Sequence, residues 1–313
     1  MREQSMAETT GAVLVTGANG GIGAAAVRAL ADRGMTVFAT VRGDGNGGAS
    51  ATGSAGGSAS TGGTGGTGAS AVAGVKGVRV VEMDVTDPVA VALAAKKIGH
   101  DVGAAGLRAV VNNAGVIVQG PLELVPPHEL RRQFEVNTFG PAHVTQAFLP
   151  LLRAGRGRVV NVSAPTAWVP VPFLGPIGAS KAALESLSDA LRGELAAWRI
   201  PVVLVEPGST KTLIFAKAEA AARAALDGTD PGRVALYRQH LAAVEKAAAN
   251  QRTSPPEKAA AAIVRAVEAR RPRRWYAATG EVRLLRLVSH LPAGLRDRLV
   301  ARTFGLAGLE AAA

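Results

Sequence analysis

The sequence predicts a doubly wound α/β fold of the Rossmann type, a single domain built on one parallel sheet. Short apolar runs alternate with helical stretches, a glycine-rich turn follows the first run directly, and hydrophobic residues make up 48% of the 313 residues. Alternating strands and helices are typical of a parallel sheet that carries helices on both faces and is joined by right-handed crossovers. The apolar fraction is large enough to fill such a core.

Seven apolar runs are predicted strands, because each is short and bounded by turn residues. They cover Ala12–Thr16, Thr36–Val41, Val78–Met83, Leu107–Asn112, Arg158–Ser163, Val202–Glu206 and Arg274–Ala278. Helical periodicity falls between them, at Ala24–Arg33, Val89–Ile98, Pro127–Arg153 and Ile177–Trp198.

The domain organisation follows from local composition. We expect residues 1–10 to be a flexible N-terminus and residues 11–280 to form the nucleotide-binding catalytic domain. Residues 43–74 are almost only Gly, Ser, Ala and Thr. Such a segment buries too little apolar surface to offset its ordering entropy, so it is predicted to be a disordered insertion. A tolerated surface loop is the favoured interpretation of this insertion, and a lid is the alternative.

The chain after the sixth strand is predicted to cover a substrate. Residues 211–254 form this lid, with two Ala-rich helices at Leu213–Leu226 and Arg233–Asn250. The run Ser254-Pro255-Pro256-Glu257 then predicts a helix that opens with a capping box and has proline at its first position. Residues 281–313 form a basic amphipathic C-terminal extension, which could close the pocket, meet a second subunit or lie on a membrane.

The composition excludes several kinds of site. The absence of cysteine excludes disulfides, thiolate metal sites and a cysteine nucleophile. The five histidines have no metal-ligand spacing, so no metal site is predicted. No apolar run reaches the roughly 20 residues that span a bilayer, and no apolar stretch opens the chain, which predicts a cytoplasmic protein.

The net charge of +11 is concentrated towards the C-terminus. From Pro255 onward, 11 Lys and Arg residues stand against 5 Asp and Glu residues. Aromatic residues are few and no nucleic-acid motif is present, so we expect no nucleic-acid partner. A solvated arginine-rich helix face is the favoured interpretation, and contact with a peripheral membrane surface or an acidic carrier protein is the alternative.

A phosphate-binding turn is predicted where the first strand meets the first helix, in the run Thr16-Gly17-Ala18-Asn19-Gly20-Gly21-Ile22-Gly23. Glycine at 17, 21 and 23 allows a tight turn, close approach of the backbone to a pyrophosphate and packing of helix on strand. The helix N-terminus favours the negative charge. Strand, turn and helix occur in the required order, so this is the firmest functional feature of the sequence.

The end of the second strand indicates which dinucleotide binds. A carboxylate there hydrogen-bonds the ribose 2′-hydroxyl of NAD and repels the 2′-phosphate of NADP. Val41 occupies that place, and Arg42 follows with a guanidinium that suits a phosphate. We therefore expect NADP(H), with a solvent-facing Arg42 as the alternative.

Further motifs follow the fourth and fifth strands and open the next helix. With Asn112-Asn113-Ala114-Gly115, Ser163 and Lys181, the chain resembles the short-chain dehydrogenase/reductase family over nearly its whole length. The runs from Pro172 to Lys181, Leu187-Ser188-Asp189-Ala190-Leu191 and Glu206-Pro207-Gly208 are most similar to the steroid and retinol branch. That branch handles hydrophobic alcohols and ketones.

The resemblance implies a set of cofactor-binding residues. Asp84 and Val85 are expected near adenine, and the turn of Asn113, Ala114 and Gly115 is expected along the cofactor. Pro207 and Gly208, with Thr212, are expected near the nicotinamide. Together with the glycine turn, Arg42 and Lys181, the implied cofactor-binding set is Gly17, Asn19, Gly21, Ile22, Gly23, Arg42, Asp84, Val85, Asn113, Ala114, Gly115, Lys181, Pro207, Gly208 and Thr212.

The active site implied by the resemblance lacks one member. The family's tetrad is Asn, Ser, Tyr and Lys, with the tyrosine four residues before the lysine. Asn137, Ser163 and Lys181 match three members, but Ile177 stands at the tyrosine position. An aliphatic side chain cannot donate a proton, so ordinary carbonyl reduction should be badly impaired. Either Tyr237 or His240 could swing in from the lid and replace it.

Three functions remain open at this stage. The first is an atypical NADP(H)-dependent oxidoreductase for a hydrophobic small molecule, with a proton path through water on Asn137, Ser163 or Lys181. The second is a non-redox isomerase, dehydratase or cyclase on the same scaffold, and the third is a catalytically silent NADP(H)-binding protein. The resemblance also implies a homo-oligomer whose helices Pro127–Arg153 and Ile177–Trp198 form a two-fold interface.

Overall fold

The computed structural model describes residues 11–43 and 71–309. The predicted N-terminal segment and most of the 43–74 insertion lie outside the described residues. Within them, seven strands form one sheet in the order β3-β2-β1-β4-β5-β6-β7, and every neighbouring pair is parallel. The predicted doubly wound α/β fold is confirmed.

The strands lie where the apolar runs predicted them, with ends that differ by at most two residues. They are β1 (Ala12–Val15), β2 (Thr36–Val41), β3 (Val78–Glu82), β4 (Ala109–Asn112), β5 (Arg158–Val162), β6 (Val202–Glu206) and β7 (Trp275–Ala277). Val13 pairs with Val37 of β2 on one side and with Ala109 of β4 on the other. The strand order therefore reverses between β1 and β4, and ligands of doubly wound sheets bind at such a switch point.

Eleven α-helices are assigned in the described part of the chain. They are α1 (Gly21–Ala31), α2 (Pro88–Val102), α3 (Pro127–Phe134), α4 (Gly140–Ala154), α5 (Gly175–Glu194), α6 (Leu213–Asp227), α7 (Pro231–Leu236), α8 (Arg238–Ala249), α9 (Pro256–Glu268), α10 (Gly280–Val288) and α11 (Ala293–Thr303). Helices α1 and α9 pack on one face of the sheet, and α2 and α4 contribute to a second core on the other. Each face is thus buried, which explains the nearly continuous apolar strands.

The segment predicted as one helix from Pro127 to Arg153 is divided. A π-helical turn, Glu135–Phe139, separates α3 from α4. Pro141 follows this turn and has no N–H to continue an α-helical ladder, which accounts for the change of hydrogen-bond pattern. Hydrophobic periodicity does not distinguish an α-helix from an α-helix with one π turn, so the prediction missed it.

The lid also differs in detail from the prediction. The expected helix Arg233–Asn250 is two helices, α7 and α8, interrupted at Tyr237. Asp230 caps α7 by accepting a hydrogen bond from the Arg233 N–H. The predicted capping box at Ser254 was wrong: Pro255 is the N-cap of α9, and the Ser254 hydroxyl donates to the Ser209 carbonyl at 3.1 Å. The Ser254 side chain therefore bonds to a neighbouring loop instead of capping α9.

The basic C-terminal segment folds into two short helices, α10 and α11. Val282 of α10 is fully buried, while Leu284 and Leu287 are exposed. Neither helix, nor any other in residues 11–43 and 71–309, has the length and apolarity needed to cross a membrane.

Candidate active site

The glycine turn leaves the end of β1 and opens α1 as predicted. Gly17 has φ +68°, a left-handed conformation that glycine adopts without strain. A Cβ on Gly23 would lie 2.2 Å from the Gly17 carbonyl oxygen. No side chain caps α1, and the N–H groups of residues 21 to 23 hydrogen-bond to no described protein group. They are therefore free to bind an anion.

The turn after β4 is tied to the glycine turn. Asn113 donates through Nδ2 to the carbonyls of Thr16 at 2.9 Å and Gly17 at 3.2 Å. The Thr16 hydroxyl in turn accepts from the N–H groups of Asn113 and Ala114, both at 3.0 Å. A Cβ on Gly17 would stand 2.8 Å from the Ala114 Cα. The two turns of the switch point are thus one rigid unit.

The opposite end of the cleft contains the predicted adenine and 2′-phosphate residues. Arg42 is exposed directly after β2, next to the Thr40 carbonyl that accepts from the Ala18 N–H at 3.0 Å. Glu82, at the end of β3, was not foreseen there: a Cβ on Gly43 would lie 1.6 Å from its Oε1. Asp84 accepts from the N–H and hydroxyl of Thr86. Val85 is buried.

The remaining predicted cofactor residues lie after β6. Pro207 is buried and Gly208 has φ +72°. Thr212 is the N-cap of α6 and packs on the glycine turn, since a Cβ on Gly21 would be 2.7 Å from its Cγ2. The switch point therefore has a backbone cradle for a pyrophosphate with a hydroxyl beside it. These residues fit a dinucleotide. Among the described residues, no group of three or more His, Cys, Asp or Glu side chains could hold a metal ion.

Asn137 sits in the π turn and is fully buried. Its Oδ1 accepts from the Val116 N–H at 2.9 Å, and its Nδ2 donates to the Val116 carbonyl at 3.0 Å. Gly115 is adjacent, because a Cβ there would be 3.4 Å from Asn137 Oδ1. Asn137 thus connects the loop that follows β4 to the π turn between α3 and α4.

Ile177 and Lys181 lie one turn apart in α5, and both are buried. Lys181 Nζ donates to the Val162 carbonyl at 2.7 Å. Burial lowers the pKa of Lys181 to about 8, although the nearby Glu185 carboxylate raises it. Ile177 places no polar atom of its side chain beside this ammonium. The side chain one helical turn before Lys181 is therefore apolar in the folded protein.

Ser163 follows β5 and is buried, 3% exposed. Its hydroxyl donates to Glu185 Oε1 at 2.5 Å, one turn beyond Lys181 on α5. No hydrogen bond connects Ser163, Lys181 and Asn137 to one another among the described residues. Asn137 lies in the π turn, Ser163 follows β5 and Lys181 lies on α5. Each of the three side chains hydrogen-bonds to a different group.

Sequence analysis did not identify an acidic pair behind Ser163. Glu206, the last residue of β6, is completely buried and accepts from Trp168 Nε1 at 3.1 Å. Burial, together with the neighbouring Glu185 carboxyl group, raises the pKa of Glu206 to about 8. Burial also raises the pKa of Glu185. The one signal of this pair in the sequence was Glu206 itself, which follows four apolar residues at the end of β6.

Of the two lid residues proposed as substitute donors, Tyr237 is engaged elsewhere, whereas His240 Nδ1 is buried without a hydrogen bond. The Tyr237 hydroxyl donates to Glu123 Oε2 at 2.8 Å, and its ring meets those of Phe173 and His240 edge to face. Arg233 binds the same glutamate. Helix α6 packs alanines against the loop 117–126 around a cavity of about 20 Å³. That volume holds about one water molecule, so this part of the lid is closed.

The sheet order, the glycine cradle at its switch point and the buried lysine define a dinucleotide-binding α/β protein of the oxidoreductase type. A sequence model of the short chain dehydrogenases matches residues 11–223. The chain therefore belongs to the short-chain dehydrogenase/reductase family, as the resemblance predicted.

Several characterised proteins are similar to this chain. An NADPH-dependent 3-dehydrocapnine reductase from Ornithobacterium rhinotracheale is 35% identical over 71% of this chain and 77% of its own length. Estradiol 17-beta-dehydrogenase 2 from Mus musculus is 38% identical over 65% of the chain, which spans only 49% of that protein. Retinol dehydrogenase 5 from Mus musculus is 34% identical over 70% of the chain and 71% of its length.

Solved structures support the fold. A short-chain dehydrogenase from Streptomyces avermitilis superimposes with a TM-score of 0.65 at 27% identity, covering 94% of each chain. A short-chain dehydrogenase from Burkholderia cenocepacia in complex with NADP has a TM-score of 0.66 at 24% identity, over 96% of this chain and 98% of that one.

Proposed function

We propose that this chain is an NADP(H)-dependent oxidoreductase for a hydrophobic carbonyl or alcohol, in which Lys181 supplies the proton that the family's tyrosine normally donates. The observation that carries the proposal is the state of Lys181. Its ammonium is fully buried beside Ile177, has one hydrogen bond to a described group and has a pKa lowered to about 8. An acid with a pKa near the working pH is a better proton donor than an ordinary lysine.

The chain's own residues support NADP(H) in particular. The free N–H groups of the α1 N-terminus would hold the pyrophosphate, and Arg42 would bind the 2′-phosphate. When bound, this cofactor supplies or accepts the hydride. Asn113, Gly208 and Thr212 hold it along the switch point, and Lys181 holds and delivers the proton. The 35% sequence identity to an NADPH-dependent reductase agrees with the choice of NADP(H).

An apolar substrate is supported by Ile177, whose aliphatic side chain lies one helical turn before Lys181, where the family has a tyrosine. An estradiol dehydrogenase and a retinol dehydrogenase are among the proteins similar to this chain. We propose that the enzyme is a homo-oligomer, which the resemblance to the family implies, and that it works in the cytoplasm.

The first experiment mixes the protein with NADPH and a panel of estrone, retinal, decalone, an enone and a cyclic imine. We expect loss of NADPH absorbance with at least one ketone or enone, and deuterium from labelled NADPH in its product. Turnover should fall as the pH rises through about 8, because deprotonated Lys181 cannot donate. Failure of every panel member to consume NADPH contradicts the proposal.

A catalytically silent NADP(H)-binding protein is the second candidate. It is favoured by Ile177 and by the engagement of the Ser163 hydroxyl on Glu185. NADPH binding without turnover of any panel member, together with no activity in the Ile177→Tyr variant, selects it. Product formed without consumption of NADPH selects a non-redox reaction instead.

A further inference from the structure

Two glutamates outside the family's tetrad meet behind Ser163. Glu185 comes from α5, and Glu206 ends β6. Ser163 donates to Glu185 at 2.5 Å, and Trp168 donates to Glu206 at 3.1 Å. Glu206 has no exposed surface. This acid pair lies directly against a predicted catalytic side chain, and nothing in the proposed reaction yet uses it.

The pair has the environment of two carboxyl groups that share one proton. Glu206 is buried, Glu185 is half-buried, and their carboxyl groups interact. Ionising both is unfavourable, so the last proton of the pair is held above its ordinary pKa. Glu206 Oε2 is buried with no hydrogen-bond partner when treated as an acceptor. The Trp275 indole N–H is also buried without a hydrogen bond and lies close to Glu206, so the shared proton is inferred from the contact of the two acids rather than from this oxygen.

The surrounding charges do not neutralise both acids. Lys181 donates to the Val162 carbonyl rather than to a carboxylate. Arg286 of α10 is exposed and stacks over Trp168, with its guanidinium carbon 4.8 Å from the ring centroid. Trp275 of β7 closes the remaining side, 6.5 Å from Trp168 between ring centroids. One buried ammonium and one solvated guanidinium leave the second carboxyl to be neutralised by a proton.

The protonation of Glu185 determines what Ser163 can do, because a hydroxyl has one hydrogen. When Glu185 is ionised, it accepts that hydrogen and leaves Ser163 none for a ligand. When Glu185 carries the shared proton, it can donate to Ser163 Oγ. The serine hydrogen is then free to bind a carbonyl oxygen.

Building on the proposed function, we propose that Glu185 is a positioning residue, and that the proton it shares with Glu206 decides whether Ser163 can donate a hydrogen bond to the substrate's carbonyl oxygen. The proton moves only between the two carboxyl groups, so no bond of the substrate forms or breaks in this step. Ketone binding should therefore weaken as the pair loses its proton, whether or not turnover follows.

The test measures estrone binding to the NADP⁺-loaded protein, a complex that cannot reduce a ketone. For the wild type, we expect the dissociation constant to rise about 3- to 10-fold between neutral and alkaline pH, the value of one hydrogen bond. In Glu185→Gln, the amide donates to Ser163 permanently, so binding should stay tight at all pH. In Glu206→Gln, no proton can be shared, so binding should be weak already at neutral pH.

The matched control is Glu194→Gln, an exposed glutamate on the same helix, which should behave as wild type. Infrared difference spectra of the ligand-free protein give a second readout. A protonated-carboxyl band should disappear on raising the pH and should be absent from Glu206→Gln.

Two results overturn the proposal. One is wild-type estrone binding with no pH dependence, and the other is a pH dependence that survives in Glu185→Gln, which assigns it to Lys181. Absence of the infrared band also overturns it. The proposed function fails by a different measurement, the loss of NADPH, so the two failures can be told apart.

Discussion

The cofactor half and the catalytic half of the cleft are built differently. Around the glycine turn, the contacts are made mostly by backbone atoms and by glycines that cannot carry a Cβ, as at Gly17 and Gly23. Around Ser163, Ile177 and Lys181, the geometry depends on single side chains. Backbone geometry tolerates few substitutions, whereas a side chain can be exchanged without unfolding the site. The cleft can therefore keep its glycine cradle while the side chains of its catalytic half are exchanged.

The largest effect is expected from a substitution in the catalytic half that restores the phenol. Ile177→Tyr places a phenol one helical turn before Lys181, whose ammonium lowers the pKa of the phenol. General acid catalysis contributes about 10² to 10⁴ in rate, and we expect ketone reduction to rise by about that range. Steady-state kinetics with NADPH and the panel ketones measure the change. Ile177→Phe, which adds the ring without the hydroxyl, is the control, and an equal gain there would show that ring volume alone is responsible.

The cradle should be far less tolerant than the catalytic half. In Gly23→Ala, the new methyl would meet the Gly17 carbonyl and Asn113 Nδ2, at 2.2 and 2.7 Å. Overpacking of this kind costs about 1 to 3 kcal/mol, so NADPH should bind about 10- to 100-fold more weakly by fluorescence titration. Gly193→Ala, where a Cβ meets nothing within 4 Å, is the matched control. Unchanged NADPH affinity in Gly23→Ala would contradict the rigid cradle.

Cofactor choice tests the adenosine end of the same half. Removing the guanidinium with Arg42→Ala should weaken NADPH binding about tenfold, a value reduced by the exposure of this side chain, and leave NADH binding nearly unchanged. Glu82→Gln removes the carboxylate beside Gly43 and should strengthen NADPH binding slightly. Equal loss of both cofactors in Arg42→Ala would show that the arginine is structural.

The smallest effect is expected in the lid. Tyr237→Phe removes the hydroxyl that donates to Glu123. Because this hydroxyl is directed to an exposed glutamate, kcat should change by no more than about threefold. A larger loss of kcat with a panel ketone, at unchanged NADPH affinity, would instead make Tyr237 the substitute proton donor. Tyr276→Phe, the other tyrosine, serves as the control.

The sequence could predict where the glycine turn and the Asn113 turn lie, because both positions are specified by local order. Glycines at fixed positions after a strand require little tertiary information, and Asn113 follows β4 in the same way. The π turn that carries Asn137 was missed because its hydrogen-bond pattern has no separate periodicity. The acid pair was missed for another reason: Glu185 and Glu206 lie on a helix and on a strand, and only the packing of α5 against β6 brings them together.

The same packing gives the protein an optical signal of its own. Of the three tryptophans in the chain, Trp168 donates to Glu206 and Trp275 packs against Trp168, whereas Trp198 stacks under Arg153. Indole emission is sensitive to a carboxyl group that gains or loses charge at its N–H. The ultraviolet fluorescence of the unlabelled protein should thus follow the ionisation of the buried acids, with no dye, substrate or cofactor added.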